Sequence, residues 1–361
     1  MKEMPKIAID ARMVSRSGIG TCIQHWLKDV GYKIALGDPK ELAEYPEVPK
    51  HIPFISGIYG YKEQLKFPYC KLRREKPDVL HIPHCNVPLF YRGKMMVTIH
   101  DLTHLVYPEF LPSKIVHLYF KFIFWFVCKR ANRIIVDSES TKNDLVRFYN
   151  ADTSKITKVL LAAGKEFIRK PKEDVEYLYE KFNIPRDKKI LLYVGNLLPH
   201  KNLNGLLDGF AQMKGKEDCR LVLVGKAFAG RTNATKESDL GIADLTIHAG
   251  MVSQDDLVNL YNLADLFVLP SLYEGFGLPV LEAFACGTPV ACSNTSSLPE
   301  VGGDVATYFD PKDPSSVAQA LEKSIDSKGM FDDKIDAWVS QFTWEKSARE
   351  LTEIAAEVAG K

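Results

Sequence analysis

Two glutamates carry the first chemical signal in this chain. In "SLYEGFGLPVLEAFACGTPVACS", Ser271 to Ser293, Glu274 stands before Gly275, Phe276 and Gly277, and Glu282 follows eight residues later. Glu282 is the only charged residue from Gly275 to Pro299. An ionised carboxylate among Leu281, Ala283, Phe284 and Ala285 needs donors to offset its desolvation. Two vicinal hydroxyls, as on a ribose, would supply one donor to each oxygen. The plainer reading is a complement to the helix dipole, worth about 0.3–1 kcal/mol. Before the second glutamate, the glycines let backbone N–H groups come close to a ligand, and free amides there suit phosphate oxygens. Glu274, at the loop entrance, would face whatever lies beyond those phosphates; a solvated loop glutamate is the alternative.

The flanking segments position these residues. "DLFVLPS" and "TPVACS" read as buried strands. Between them, Pro279 suits a first helical turn and Gly287 the position just past the last. Glu282 therefore falls on a short helix at the carboxyl end of a parallel strand, where open α/β sheets bind ligands. The same alternation runs through the chain: "KIAIDAR", "YKIALG", "HIPFIS", "DVLHIP", "MMVTIHD", "RIIVDS" and "KITKVLLA", then "KKILLYVGN", "CRLVLVGK", "DLTIHAG", "DLFVLPS", "TPVACS" and "ATYFD". Helix-like segments separate these runs, which predicts parallel sheets covered on both faces. The basic stretch "GKEFIRKPKED" near Lys165–Asp174 divides the two series. The expectation is α/β: two doubly wound, Rossmann-like domains, 1–168 and 169–342, with a final amphipathic helix in 343–361. Caps are legible at Ser253 ahead of Asp255 and Asp256, at Asp313-Pro314, and at Thr343.

Global properties narrow the field. A chain of 361 residues suits two domains, and a net charge of +1 argues against a general nucleic-acid binder. Seven cysteines with no C-x-x-C pair read as reduced thiols in a cytosolic protein. "MKEMPKIAIDAR" enters a strand with no apolar signal region, and no apolar run approaches the roughly 18 residues of a spanning helix.

The first half offers weaker signals. In "SRSGIGTC", Gly18 and Gly20 lie at a strand-to-helix turn able to cradle a phosphate. A dinucleotide fingerprint would want glycine where Ile23 stands, so the turn reads as a diphosphate or acceptor loop, or as a structural turn. His100 and Asp101 end the strand "MMVTIHD". His100 with His104, and His81 with His84, have metal-like spacing but no third ligand. Ser138 opens a helix as a cap or an acceptor-side residue. "KIVHLYFKFIFWFVCKRANR" reads as a buried helix over the sheet or as one that meets a membrane interface.

The ordered set of motifs resembles a known family. "EGFGLPVLE" is similar to the E-x7-E signature of glycosyltransferase family 4, the retaining enzymes of the GT-B fold. "SGIG", "TIHDL", "VDSESTKNDL", "YVGNLLPHKNL", "LVLVGK", "HAGMVSQDDL" and "SSLPEVGG" follow in that family's order. The resemblance implies two domains facing across a cleft, the second holding a nucleotide sugar and the first a saccharide or lipid-linked acceptor. Closure would exclude water from the donor, and the last helix would pack back on the first domain. Glu282 would bind ribose hydroxyls, Glu274 the donor sugar, and the backbone of Gly275, Phe276, Gly277 and Leu278 the sugar and diphosphate.

Lys201 matches the family's phosphate-binding lysine, a cation that stabilises the leaving diphosphate. Asn196 departs from the arginine many members carry, so either Lys226 supplies the second cation or diphosphate binding rests on backbone amides and Lys201. Met251 and Val252 would contact the nucleobase. Gly18 and Gly20 would close over the donor, and His100 would sit by the transferred sugar, with Asp101 and Ser138 on the acceptor side. A donor phosphate oxygen would take the acceptor proton. No D-x-D pair occurs, so no metal is expected, and no cofactor. The motifs lean to GDP-mannose over UDP-hexoses, in a cytoplasmic enzyme that touches the inner membrane face if the aromatic helix does. A catalytically silent partner subunit and a Rossmann oxidoreductase are the rival readings.

Overall fold

Short apolar, β-branched runs flanked by helices build two open parallel sheets. The computed structural model describes residues 4–58, 61–225 and 234–360. The first sheet comprises β1 (Ile7–Asp10), β2 (Ile34–Gly37), β3 (His51–Pro53), β4 (Val79–Ile82), β5 (Met95–Ile99), β6 (Arg133–Val136) and β7 (Ile156–Lys158), ordered β3-β2-β1-β4-β5-β6-β7. The second comprises β8 (Lys189–Val194), β9 (Cys219–Val224), β10 (Thr246–Gly250), β11 (Leu266–Leu269), β12 (Val290–Ser293) and β13 (Thr307–Phe309), ordered β10-β9-β8-β11-β12-β13. Each run read as a strand contains one of these strands, and the pairings are parallel. Central strands are buried at every position, as expected when helices cover both faces.

The helices that bear on the site are α1 (Ser17–Asp29), α2 (Lys114–Arg130), α3 (Glu139–Tyr149), α4 (Leu203–Gln212), α5 (Gln254–Leu263), α6 (Leu278–Ala285), α7 (Pro314–Ser324) and α8 (Trp344–Ala359). Their caps follow the sequence signals. Ser253 Oγ accepts from Asp256 N at 3.1 Å, Asp313 Oδ1 from Ser315 N at 2.9 Å, and Thr343 Oγ1 from Lys346 N at 3.2 Å.

The chain divides into Met1–Leu161 with Thr343–Lys361, and Ala162–Phe342. The first break thus falls after Leu161 rather than after 168. Phe167 meets the Tyr261 ring edge-on, centroids 5.8 Å apart, and Asn262 Nδ2 donates to Ile168 O, so this stretch packs with the second unit. α8 belongs to the first unit because Trp344 stacks on His25 at 4.3 Å and Trp26 Nε1 donates to Ser347 Oγ at 3.0 Å. All seven cysteines are unpaired thiols.

In each sheet the strand order reverses once, between β1 and β4 in the first and between β8 and β11 in the second. Loops leaving the carboxyl ends of those neighbours diverge and open a crevice. Asp10 and Arg12 stand beside the first switch point, and Lys201 and Glu274 beside the second.

Candidate active site

In the second unit, Lys201 and Glu274 meet across the switch point. β8 leads to a 3-10 turn, Pro199–Lys201, and β11 leads into the loop from Ser271 to Gly277. Lys201 Nζ donates to Glu274 Oε1 at 2.7 Å and Oε2 at 2.9 Å, and Ser271 Oγ donates to Oε1 at 2.6 Å. Leu272 N donates to His200 O at 2.7 Å and joins the two loops. Lys201 closes its turn rather than opening a helix; Asn202, with φ +53°, intervenes before α4. The pair is part-buried, with the Lys201 and Glu274 side chains 23% and 13% exposed, so each charge depends on the other to offset its desolvation. Its effect is to hold an ammonium and a carboxylate side by side at the carboxyl edge of the sheet.

The glycine loop is rigid for identifiable reasons. Glu274 N donates to Ser296 Oγ at 2.9 Å, and the Ser297 hydroxyl is shared between Glu274 O and Phe276 O at 2.9 and 2.8 Å. Gly275, Phe276 and Gly277 are buried, and Leu278 begins α6 half-buried. Gly277 has φ +109°, and a Cβ there would lie 2.7 Å from Leu298 Cδ2. Glycine is thus demanded twice, by dihedral and by space.

Glu282 lies on the second turn of α6, partly buried, with Tyr261 OH donating to Oε2 at 2.9 Å. Burial raises its pKa, the tyrosine hydrogen bond opposes this, and the nearby Glu166 charge adds to it; the carboxyl is pushed up to about 7. A carboxylate so poorly compensated among the described residues favours any ligand that brings hydroxyl donors. Of the other residues expected at the site, Asn196 is exposed after β8, while Met251 is 66% exposed and Val252 half-buried after β10. Lys226 lies outside the described residues.

The first unit gathers a second set at the carboxyl ends of β1, β4, β5 and β6, which are neighbours in that order. His100, just past β5, places Nδ1 2.6 Å from Asp137 Oδ2, just past β6, and Nε2 3.3 Å from Pro83 O. Both partners are acceptors, an arrangement that favours the protonated ring. Burial pulls its pKa down, but the Asp137 charge and hydrogen bond outweigh this and the net shift is upward. Trp26 stacks on the ring at 6.3 Å. Asp101 accepts from Thr103 N at 2.8 Å and stays half-buried. Ser138 is fully buried; its hydroxyl accepts from Thr141 N and donates to Thr141 Oγ1, each at 3.1 Å. In this conformation it is a cap.

Gly18 and Gly20 lie inside the first turn of α1, not in a turn ahead of it. A Cβ on Gly20 would stand 2.7 Å from Val14 O and 2.9 Å from Met13 O, so the helix start is pressed against the loop that precedes it. His81 and His84 do not converge: His81 lies between Tyr32 OH at 2.6 Å and Thr98 Oγ1 at 2.8 Å, while His84 Nε2 is 3.3 Å from Asp10 Oδ2.

A buried ionic cluster at the first switch point escaped the sequence reading. Arg12 Nη2 bridges Asp10 Oδ2 at 2.6 Å and Glu63 Oε1 at 2.5 Å; Asn86 Nδ2 donates to Glu63, and Tyr119 OH donates to Asn86. Burial opposes ionisation of Asp10, yet Arg12 holds its pKa well below the usual carboxylate range. Asp10, Arg12, Glu63 and Asn86 are almost wholly enclosed, so they brace the segment that ends at Asn86 rather than present themselves to a ligand. Asp137, Tyr261, Ser271, Ser296 and Ser297 were also missed. Asp137 alone had a readable signal, as an acid ending the strand next after that of His100.

Two units, each an open parallel sheet with one reversal of strand order and charged side chains at the strand ends, define a doubly wound two-unit α/β class, and comparison with known proteins names the family. Over 98% of this chain and all of the other, the structure superimposes on Anabaena Alr3699/HepE, solved in complex with UDP, with a TM-score of 0.78 at 17% identity. The model for "Glycosyl transferases group 1" matches residues 174–338, and that for "Glycosyltransferase Family 4" matches residues 34–159. O-antigen chain mannosyltransferase B of Escherichia coli is 31% identical over 289 residues, 76% of this chain and 73% of that protein. The serotype-specific mannosyltransferase WbdA of Escherichia coli is 28% identical over 74% of this chain, which spans only 33% of it. The chain belongs to glycosyltransferase family 4, with the GT-B fold.

Proposed function

We propose that this glycosyltransferase moves a hexose, mannose from GDP-mannose in preference to a UDP-hexose, onto a saccharide or lipid-linked saccharide during polysaccharide synthesis. The observation that carries the reading is the half-open Glu282 carboxyl. It is pushed up to about 7, held within the described chain by Tyr261, and stands one helix turn beyond the Gly277 amide loop. A ribose diol satisfies it, the start of α6 faces the diphosphate, and Lys201 places positive charge where the leaving group gains negative charge. Glu274, positioned by Lys201 and Ser271, accepts from donor-sugar hydroxyls. With Asn196 neutral, Lys201 and the amides carry the charge compensation among the described residues. Transfer proceeds with retention: the glycosyl–phosphate bond breaks, the acceptor oxygen bonds on the same face, and a donor phosphate oxygen takes the acceptor proton. No metal takes part in this scheme.

The first unit supplies the acceptor side, where His100 and Asp101 remain reachable. The mannosyltransferase names of the relatives support the sugar, and the "YVGNLLPHKN" motif the choice of base.

A thermal-shift panel of GDP, UDP and ADP with their sugars tests the donor. GDP species at about 100 times Kd should add about 2.7 kcal/mol. Stabilisation by UDP species alone would overturn the choice of base. The anomeric configuration of the product, read by NMR, tests retention, and an inverted linkage refutes it. Absence of both transfer and donor hydrolysis would favour the silent-subunit reading.

A further inference from the structure

The sequence alone offers both oxygens of Glu282 to a ligand, but the fold has already filled one of them. Tyr261, in the last turn of α5, is wholly enclosed, and its hydroxyl donates to Glu282 Oε2 at 2.9 Å. Its ring meets Phe167 and Phe267 edge-on, with centroids 5.8 and 5.3 Å away. Its backbone carbonyl accepts from Thr288 Oγ1, which ties this turn of α5 to the chain just past α6. Burial, and then the Glu282 charge, push the phenol well above its ordinary pKa, so it keeps its proton and remains a donor. Glu282 itself is half-buried, and among the described residues no hydrogen bond reaches Oε1.

We infer that Tyr261 is a positioning residue for donor recognition: it holds Oε2 and fixes the Glu282 side chain, so that Oε1 is left to accept from the pentose hydroxyls. The inference rests on the donor reading proposed above. A glutamate side chain free to rotate would have to be ordered by each incoming ligand, at a cost in affinity. A carboxylate already held by a rigid neighbour is ordered in advance. The ring contacts would serve a phenylalanine equally well. What phenylalanine lacks is the hydroxyl, and the partner of that hydroxyl is the carboxylate. Tyr261 is too enclosed to meet the nucleotide itself, so its effect on binding passes through Glu282.

The test is calorimetric titration of the full chain with GDP and with 2′,3′-dideoxy-GDP, or with UDP and its dideoxy form if uridine species bind instead. Tyr261→Phe should weaken the ribonucleotide about tenfold, the loss expected for a hydrogen bond to a charged group. The dideoxy nucleotide, which has no hydroxyl for Glu282, should bind native chain and variant within about twofold of each other. In a Glu282→Ala background the tyrosine substitution should likewise change ribonucleotide affinity by less than about twofold, because its partner is gone. Thermal melts establish that each variant is folded at the titration temperature. The inference is overturned if Glu282→Ala weakens the ribonucleotide while Tyr261→Phe does not. It is equally overturned if Tyr261→Phe weakens both nucleotides alike, which marks a structural role. If Glu282→Ala binds the ribonucleotide as the native chain does, the donor reading fails and this inference falls with it.

Discussion

If Glu282 binds the donor as a carboxylate, donor affinity should depend on pH in a way that Glu282→Gln removes. The free carboxyl titrates near pH 7, raised by burial. The sign follows from linkage. A raised folded-state pKa means that the protonated form is favoured in the free fold; the associated stability is present below the ordinary carboxylate pKa and lost as pH rises through about 7. A bound diol reverses the preference, because it donates to the ionised form.

With a pKa of about 7, the carboxylate is about 90% ionised at pH 8 and about 10% at pH 6. Kd should therefore weaken about tenfold between those pH values, about 1.4 kcal/mol. The measurement is calorimetric titration with the sugar nucleotide, whose diphosphate diester does not titrate in this window. Two buffers of different ionisation enthalpy count the proton released at pH 6. Glu282→Gln should bind more weakly at pH 8 by about 1.5–3 kcal/mol, the range for a lost charge-assisted hydrogen bond, and show a flat profile. A flat profile in the native chain, or an equal slope in the variant, would refute the reasoning.

Lys201→Ala should lower kcat/KM for the donor by about 100–1000-fold, as expected for a lost transition-state cation, with a loss of about 1–3 kcal/mol in unfolding free energy because the part-buried Glu274 carboxylate is left without its cation. Steady-state kinetics beside denaturant melts would expose the reverse pattern. Asp137→Asn removes the charge that lifts His100, so the imidazolium signal in NMR should titrate at lower pH than in the native chain; an unmoved midpoint would mean that Asp137 is not the cause. Gly277→Ala meets both a positive φ and Leu298, and should cost about 1–3 kcal/mol in urea unfolding. A neutral substitution would show that the loop adopts another conformation.

Much of the fold is legible because parallel sheets buried on both faces write themselves as short apolar runs. The sequence runs each contain a strand, and Ser253, Asp313 and Thr343 cap where their side chains allow. Sequence puts the Gly18–Gly20 turn just outside the helix that contains it, because glycine signals a bend and also a close approach, and only the position of Val14 O separates the two. Glu274, Glu282 and Lys201 stand out through local company: glycines beside one, apolar neighbours around another, and a motif around the third.

Partnership was illegible. Lys201 and Glu274 are separated by 73 residues, Arg12 and Glu63 by 51, and His100 and Asp137 by 37. No periodicity records which loops share a switch point; that follows from strand order, set by the packing of whole sheets. The same holds for α2, whose sequence is apolar on both sides, so that only the core it covers decides which aromatics are left outside. Composition and local pattern determined which elements form and which residues stand out as candidates. The tertiary structure alone decided which charges meet and which faces stay open, because those depend on contacts between distant segments.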